Sequence, residues 1–407
     1  MQKLLHGLKV APENYGLLGA VYFSFFMNGL TTVMLGTLLP FIRAENGLSY
    51  SQSGLMLSAH QFGNLTAVLL AGVLPYLIGR KQSTLTLLTG TIIGMMLMVA
   101  TENPWLFVAA FAFTGIGRGT LSNTCNVAIA EVSGNKTGAL NILHAIFAIG
   151  ALLSPVVVFA FTGVLHTGWK GAAVTVAVLA LTAWLLLARS NLSATPTKKE
   201  GGGALTFLQT GNFWVSTMIL FFYLCAEASI IGWFVIYFKE VGALPARLAE
   251  FTPTLLWSMI MLGRVMCAAI SAKVNKNRLL FALGAAFALF FTGMLLSPTP
   301  AVCVACLLGI GFSMAGIYPT TLSTMKASAS GIATGFAMAI ASVGAILMPG
   351  IVGAVADSQG LKGGVSVILA SLLLMIVLIV AQGAMLKHRA AGSAGDAAAE
   401  QAGKRKM

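Results

Sequence analysis

Long apolar blocks, separated by short polar breaks, run through almost the whole of this 407-residue chain. The block from Gly171 to Ala188 and the block from Gly364 to Ala381 contain no charged residue. Blocks of this length suit helices that cross the hydrocarbon layer, which takes about 20 apolar residues. Strands of a membrane barrel would instead alternate apolar and polar residues over segments of about ten. The pattern therefore predicts an all-α membrane protein.

The composition excludes a water-soluble globular protein. The chain is 57% hydrophobic and 9% charged, whereas soluble domains carry about 25% charged residues. The formal net charge of +13 would favour nucleic acid only if the basic residues clustered on a folded surface. They lie instead in the predicted loops and tails, as the positive-inside rule describes. We therefore expect the lipid bilayer as a partner, and no nucleic acid.

Charged, glycine and proline residues divide the apolar sequence into twelve predicted transmembrane helices that form two pseudo-symmetric six-helix bundles. The predicted spans are 16–41, 53–79, 84–101, 104–130, 138–164, 171–188, 211–238, 248–272, 278–297, 300–325, 329–355 and 363–386. We predict an N-terminal bundle at 1–188, a cytoplasmic linker at 189–210, a C-terminal bundle at 211–387 and a disordered cytoplasmic tail at 388–407. The first apolar block is too long for the core of a signal peptide.

The distribution of Lys and Arg predicts that both termini lie in the cytoplasm. In this orientation seventeen of the 24 basic residues lie on the cytoplasmic side and five lie outside, while Arg118 and Arg264 fall within spans. Cytoplasmic loops carry the excess of basic residues in membrane proteins. The expected location is therefore a bacterial inner membrane, crossed many times by the chain.

Two short motifs recur in the second half of the chain. Gly115-Ile116-Gly117 returns as Gly309-Ile310-Gly311, and the Gly150–Pro155 segment returns as Gly344–Pro349, at the same distance along the chain. An internal repeat of six parallel spans is typical of transporters in which solute binds between two halves near the middle of the membrane.

Glu227 is the one carboxylate that the sequence places deep inside a predicted span. An ionisable group inside the membrane is costly, and such groups usually face a cavity or a partner. A carboxylic acid removed from water favours its neutral form and can then exchange a proton near neutral pH. Glu227 is therefore the candidate for proton coupling, and the alternative is a structural Glu that holds two helices together.

Two arginines also fall within predicted spans. Arg118 lies in GIGRGTLSNTCN, where glycines allow close helix approach. It either neutralises Glu227 or helix carbonyls, or binds an anionic group of the substrate. Arg264 lies nearer the cytoplasmic end of its span, and we expect a structural role for it.

Polar and aromatic side chains within the spans form the candidate binding site. His60 and Asn64 should share one helix face, and so should Asn141 and His144. His144 is a second candidate for proton transfer, because histidine titrates near neutral pH. The alternative for each histidine and aromatic residue is ordinary packing. The predicted substrate-binding residues are Asn28, His60, Gln61, Asn64, Arg118, Ser122, Asn126, Asn141, His144, Glu227, Trp233, Trp257 and Tyr318.

The sequence carries no motif for enzymatic chemistry. A phosphate-binding loop, a G-x-S-x-G elbow and an H-E-x-x-H pair are all absent. Cys303 and Cys306 form a single C-x-x-C without a second pair or a histidine partner, which makes a metal site improbable. We expect no enzyme activity, no metal and no cofactor, with the proton as the coupling ion and the monomer as the working unit.

Motifs along nearly all twelve spans resemble the major facilitator superfamily and, within it, the fucose-proton symporter family of sugar permeases. The resemblance rests on FFMNGLTTVMLGTLLPFI, QSGLMLSAHQFGN, AGVLPYLIGRK, GIGRGTLSNTCN, LNILHAIFAIGA, FFYLCAEAS, MLGR, IYPTTLS and VGAILMPGIVGAVAD. It implies the two-bundle fold and a polar site shared by spans one, four, five, seven, eight, ten and eleven. Asn28 lies in span one.

The sequence departs from the fucose type at several positions. The family's carboxylates in spans one and four align with Gly36 and Ser122, whereas its neutral amide in span seven aligns with Glu227. His144 replaces another amide. The loop GVLPYLIGRK is a degenerate form of the superfamily's cytoplasmic signature, with Pro75 or Tyr76 near the place of an Asp.

These observations lead to one main hypothesis and three alternatives. The main hypothesis is a secondary transporter that moves a small polar solute, a sugar or sugar derivative, by alternating access with proton symport through Glu227. An organic-anion transporter or exchanger that uses Arg118 is the first alternative, and efflux of amphipathic drugs is the second. A nutrient sensor that transports nothing is the alternative from a different class of protein.

Overall fold

The computed structural model describes residues 8, 10–192, 205–241, 244–270, 273–296, 299–325 and 331–404, and their backbone is almost entirely helical. The long helices are α1 (Tyr15–Asn46), α2 (Tyr50–Leu70), α3 (Arg80–Ala100), α4 (Pro104–Val132), α5 (Lys136–Phe159), α6 (Lys170–Arg189), α7 (Gly211–Glu240), α8 (Thr252–Ile270), α9 (Lys276–Leu296), α10 (Pro300–Met314), α11 (Gly331–Ser366) and α12 (Ile368–Lys404). Shorter helical segments are Pro12–Asn14, Leu74–Ile78, Ala160–Val164, Leu205–Gln209, Ala246–Glu250 and Ile317–Thr324. Residues 193–204 of the predicted linker and residues 405–407 of the predicted tail lie outside the described residues.

The all-helical membrane fold predicted from the apolar blocks is confirmed. Eight stretches of the described helices are long and apolar enough to cross a membrane, by length and composition. Helices α2, α4 and α8 are not among them, and they carry His60, Arg118 and Arg264. The count of twelve spans stays a prediction.

Within the predicted disordered tail, the backbone of α12 continues as a helix from residue 388 to Lys404. The segment after residue 388 is rich in alanine. Alanine has the highest intrinsic helix propensity, so a composition that is small and polar still continues a helix here.

Glycines set the close crossing of α2 and α4. A Cβ atom on Gly63 would overlap the backbone carbonyl of Ala112, and one on Gly115 would overlap the carbonyl of His60. Backbone can approach backbone this closely only where side chains are missing, as in other membrane helix pairs. The crossing holds the His60–Gln61 segment of α2 beside Arg118 of α4.

The sequence repeat has a structural counterpart. A Cβ atom on Gly150 of α5 would overlap the carbonyl of Phe26 in α1, and one on Gly344 of α11 would meet the carbonyl of Phe221 in α7 at 2.5 Å. The repeated glycines therefore pack the same pair of helices in each half. Helices α1–α6 pack mainly with one another, and so do α7–α12.

The two halves join at one end of the molecule, where α1 and α7 end and α2 and α8 begin. Backbone contacts there place Gly54 of α2 against Pro349 of α11, and Gly353 of α11 against Tyr50 of α2. The side chain of Thr254 in α8 donates a hydrogen bond of 3.1 Å to the carbonyl of Leu152 in α5. We call this region the closed end.

Charged side chains reinforce the closed end. Arg43 Nη1 lies 2.5 Å from Glu240 Oε1, and the Tyr50 hydroxyl donates to the other oxygen of the same carboxylate. The carboxylate of Asp357 accepts hydrogen bonds from the backbone N–H groups of Tyr50 (2.8 Å) and Ser51 (2.9 Å). An acid from α11 thus caps the positive N-terminus of α2 in the opposite half.

Candidate functional site

Glu227 lies midway along α7 and is half-buried. The hydroxyl of Tyr223, one turn earlier, donates a hydrogen bond of 2.8 Å to Glu227 Oε1. The same hydroxyl also lies 3.3 Å from the backbone carbonyl of Met314. The carboxylate therefore has a fixed neutral partner while part of its surface stays open.

A helix break supplies the neighbour of Tyr223. Helix α10 ends at Met314, and the chain resumes a helix at Ile317. The break leaves the Met314 carbonyl free to meet Tyr223. Tyr318, just after the break, lies with its ring 6.2 Å from the ring of Tyr223. The hydroxyl of Tyr318 contacts the sulfur of Met338 in α11.

Arg118 approaches the site from the N-terminal half. Its Nη1 donates a hydrogen bond of 3.2 Å to Gln61 Oε1, and its charge acts on Glu227. Among the described residues, no carboxylate oxygen lies within 4.0 Å of its guanidinium. Of the two roles predicted for Arg118, permanent neutralisation of Glu227 by an ion pair is therefore not what the structure shows.

Arg264, for which the sequence predicted only a structural role, approaches from the C-terminal half. Its charge acts on His144 and on Glu227. Helices α5 and α8 run antiparallel, since Leu152 meets Thr254 and Phe147 meets Trp257, ring to ring at 5.8 Å. Continuing along both helices from this contact brings His144 and the exposed Arg264 to the same side of the molecule, away from the closed end.

Arg264 directly follows a glycine that packs closely on a neighbouring helix. Gly263 packs on the carbonyl of Phe312 in α10. Gly63 packs on the carbonyl of Ala112 in α4 in the same way. A glycine at a close helix crossing followed by a polar residue is thus the signal that Arg264 shares with Asn64, which was already a predicted site residue.

We define the central cleft as the space between the halves that lies away from the closed end. Hydrogen bonds, a ring contact or charge link Glu227 to Arg118, Tyr223, Arg264 and Tyr318, and the charge of Arg264 also acts on His144. Asn141 and His144 are both exposed on α5, and Gln61 and Asn64 are half-buried on α2. The edge of His144 packs against the ring of Phe25 at 5.5 Å.

Asn28, Ser122 and Asn126 are joined by hydrogen bonds. Asn28 is 1% exposed, and its Nδ2 donates a hydrogen bond of 3.2 Å to Ser122 Oγ. The amide of Asn126 donates to the carbonyl of Ser122, one turn earlier in α4. The bond between Asn28 and Ser122 ties α1 to α4, and the bond of Asn126 stays within α4.

Two of the predicted site residues lie outside the cleft. Trp233 is 0% exposed, and its Nε1 donates a hydrogen bond of 3.2 Å to the carbonyl of Pro349 at the closed end. His60 is 5% exposed, with Nδ1 3.0 Å from Thr114 Oγ1. Close packing between helices covers both side chains in this conformation. Trp257 is 8% exposed and packs on Phe147.

The described residues contain no cluster of three or more His, Cys, Asp or Glu side chains arranged to hold a metal ion. Cys303 and Cys306 are both buried free thiols. The chemistry available in the cleft is therefore that of one carboxylate, two guanidinium groups, an imidazole and two phenols.

Comparison with known proteins matches the chain over most of its length. A family model described as the Major Facilitator Superfamily matches residues 21–349. Membrane protein MosC of Rhizobium meliloti is 20% identical over 359 residues, which is 87% of each chain. The MFS siderochrome iron transporter 1 of Ajellomyces capsulatus is 30% identical over 115 residues, 28% of this chain and 19% of that one.

Solved structures of transporters share the fold. A mutant form of the nucleoside transporter NupG aligns with a TM-score of 0.73 at 16% identity, covering 91% of this chain and 99% of that one. The D-xylose-proton symporter aligns with a TM-score of 0.72 at 15% identity, covering 90% of this chain and 97% of that one. At these identities the likeness concerns the fold alone.

Proposed function

Because the chain belongs to the major facilitator superfamily, and is thus a multi-pass membrane transporter and not an enzyme, we propose that it moves a small sugar or sugar derivative by proton symport. The observation that carries this proposal is the half-buried carboxylic acid of Glu227, which accepts a hydrogen bond from Tyr223 and on which the charge of Arg118 from the other half acts. The proposed location is a bacterial inner membrane, with both termini in the cytoplasm.

In this orientation the closed end faces outward and the central cleft opens to the cytoplasm. Alternating access then requires that the contacts of Arg43 with Glu240 and of Tyr50 with Asp357 break when the cleft opens outward. Glu227 would take up a proton on the outer side and release it on the inner side.

The neighbours of Glu227 suit such a cycle. A hydrogen bond from Tyr223 and the charges of Arg118 and Arg264 stabilise the ionised carboxylate. Removal from water stabilises the protonated form. Wetting of the cleft on one side therefore favours proton release, and closure of the cleft favours the neutral acid.

A sugar or sugar derivative suits the groups of the cleft. Amide, phenol and guanidinium groups around Glu227 can donate and accept the hydrogen bonds that a hydroxylated solute needs. The D-xylose-proton symporter and NupG, both with this fold, support the assignment to this range of solutes.

Proton flux in proteoliposomes tests the proposal. Vesicles with a trapped pH-sensitive dye receive an outside mixture of D-glucose, D-xylose, L-fucose and D-glucuronate. We expect acidification of the lumen with the wild-type protein, and none with Glu227→Gln. Glu102→Gln is the matched control, because Glu102 is exposed between α3 and α4. Acidification by Glu227→Gln at the wild-type rate would contradict the assignment of the proton carrier.

A further inference from the structure

We propose that the solute is a sugar acid with one negative charge, held between Arg118 and Arg264 and carried together with one proton. This inference rests on the proposed function and names the substrate class of the same site. It concerns the charge of the solute, which the proton-coupling role of Glu227 alone leaves open.

The first support is the ion pairing of the arginines. Arg43 and Arg80 each have a carboxylate partner, at 2.5 Å and 2.7 Å. Among the described residues, neither Arg118 nor Arg264 has a carboxylate oxygen within 4.0 Å. A guanidinium at membrane depth is costly unless it meets water or an anion. Arg118, half-buried on α4, therefore lacks an anionic partner, and the exposed Arg264 offers a second cation to an anion in the cleft.

The second support is the position of the two arginines on opposite halves. Arg118 lies on α4, where the crossing with α2 fixes it against Gln61. Arg264 lies on α8, on the face that meets α5 at Trp257 and Phe147. An anion between them would contact one cation from each half. Such a ligand would draw the halves together around itself, as occlusion of a solute requires.

The third support is the balance of charge through the transport cycle. In the empty cleft with Glu227 ionised, two guanidinium groups face one carboxylate, which leaves one excess positive charge. With Glu227 protonated and a monoanion bound, the excess is again one positive charge. A neutral sugar bound beside protonated Glu227 would leave an excess of two positive charges. Charge inside the membrane is costly. With a monoanion as solute, the empty and the loaded cleft carry the same net charge, so this cost is the same in both states.

The other groups around Glu227 do not alter this balance. Tyr223 of α7 and Tyr318 beyond α10 are neutral phenols. Partial removal from water and then the charge of Arg264 both oppose a positive charge on His144 of α5, while His60 of α2 is enclosed with Thr114. Among the described residues that act on Glu227, no second carboxylate is present.

Equilibrium binding to the purified protein tests the inference without any need for transport. D-glucuronate and D-glucose form a matched pair that differs at one carbon. We expect D-glucuronate to bind at least about tenfold more tightly at pH 6, since a charge-assisted hydrogen bond is worth about tenfold or more. Arg264→Gln and Arg118→Gln should each abolish this preference. Arg247→Gln, at an exposed site, should leave it unchanged.

The electrical character of uptake provides an independent readout. A monoanion that moves with one proton carries no net charge, so a potassium potential set with valinomycin should not change the uptake of radiolabelled D-glucuronate. Uptake of a neutral sugar with a proton would respond to the potential.

The outcomes separate the inference from the proposed function. Equal or tighter binding of D-glucose, absence of D-glucuronate binding, or a charge preference that survives Arg264→Gln would overturn the sugar-acid assignment. Proton flux that is driven by D-glucose and abolished in Glu227→Gln would at the same time uphold the proposed function. Charge-selective binding without any proton flux would uphold the sugar-acid assignment and contradict the proposed proton symport.

Discussion

The hydroxyl of Tyr223 donates a hydrogen bond of 2.8 Å to the carboxylate of Glu227, one turn away on the same face of α7. The same hydroxyl reaches the Met314 carbonyl that the break after α10 leaves free. A movement of the broken helix would therefore change the partner of the carboxylate. This geometry links the arrangement of the C-terminal half to the proton that Glu227 carries.

Tyr223→Phe should shift the pH dependence of transport without abolishing it. The variant loses a hydrogen bond that stabilises the ionised carboxylate, so the protonated form persists to higher pH. We expect the midpoint of the profile of uptake against pH to move up by about one unit, which is the size of a single hydrogen bond to a charged group. Tyr22→Phe is the control, because Tyr22 lies on α1 and, among the described residues, its hydroxyl has no hydrogen-bond partner. An unchanged midpoint in Tyr223→Phe would show that the hydrogen bond does not tune the carrier.

Arg43→Gln should loosen the closed end. The side chains of Arg43 and Glu240 are 23% and 33% exposed, and partly exposed ion pairs contribute about 0.2–1 kcal/mol. The equilibrium should therefore shift toward opening at this end by up to about fivefold. Spin labels at Asn46→Cys and Val241→Cys would report it as a larger population at long distance. The native cysteines are buried and should not compete for the label.

The charge-swapped variant Arg43→Glu/Glu240→Arg is the control for this experiment. If the ion pair itself holds the halves together, the swap should restore the short distance between the labels. A distance distribution that is the same in the wild type, Arg43→Gln and the swap would mean that backbone packing alone closes this end.

Gly115→Ala should destabilise the N-terminal half. A Cβ atom there would overlap the carbonyl of His60, so α2 and α4 would have to separate. Overpacking of this kind costs about 1–3 kcal/mol, and thermal unfolding in detergent should occur at a lower temperature. Gly19→Ala is the matched control, since a Cβ atom at Gly19 meets nothing within 4 Å. Equal unfolding temperatures for the two variants would contradict the packing role of Gly115.

The sequence predicted some features of the site because charge in an apolar run is conspicuous. Glu227 and Arg118 are ionisable residues within apolar runs, and in the structure the charge of Arg118 acts on Glu227. The side-chain direction of Trp233 was not predictable from residue type, since an aromatic residue fits a binding site and a helix contact equally well. Its burial follows from the contact of α7 with α11, which no local pattern reveals.

Other features depend on pairings between distant parts of the chain. Arg43 and Glu240 are 197 residues apart, and each alone looks like an ordinary charge at a helix end. Arg264 looked structural because it lies near the cytoplasmic end of its predicted span. Only the alignment of α5 with α8, through Phe147 and Trp257, shows that it faces the same cleft as His144.

The most direct test of the account compares two modes of transport in Glu227→Gln, with radiolabelled D-glucuronate and D-glucose as probes. Exchange of labelled for unlabelled solute needs no net proton movement, whereas accumulation driven by an imposed pH gradient does. We predict that Glu227→Gln retains exchange for the solute that the wild type carries and loses gradient-driven accumulation. Accumulation at the wild-type level in Glu227→Gln would contradict the central claim that Glu227 carries the coupled proton.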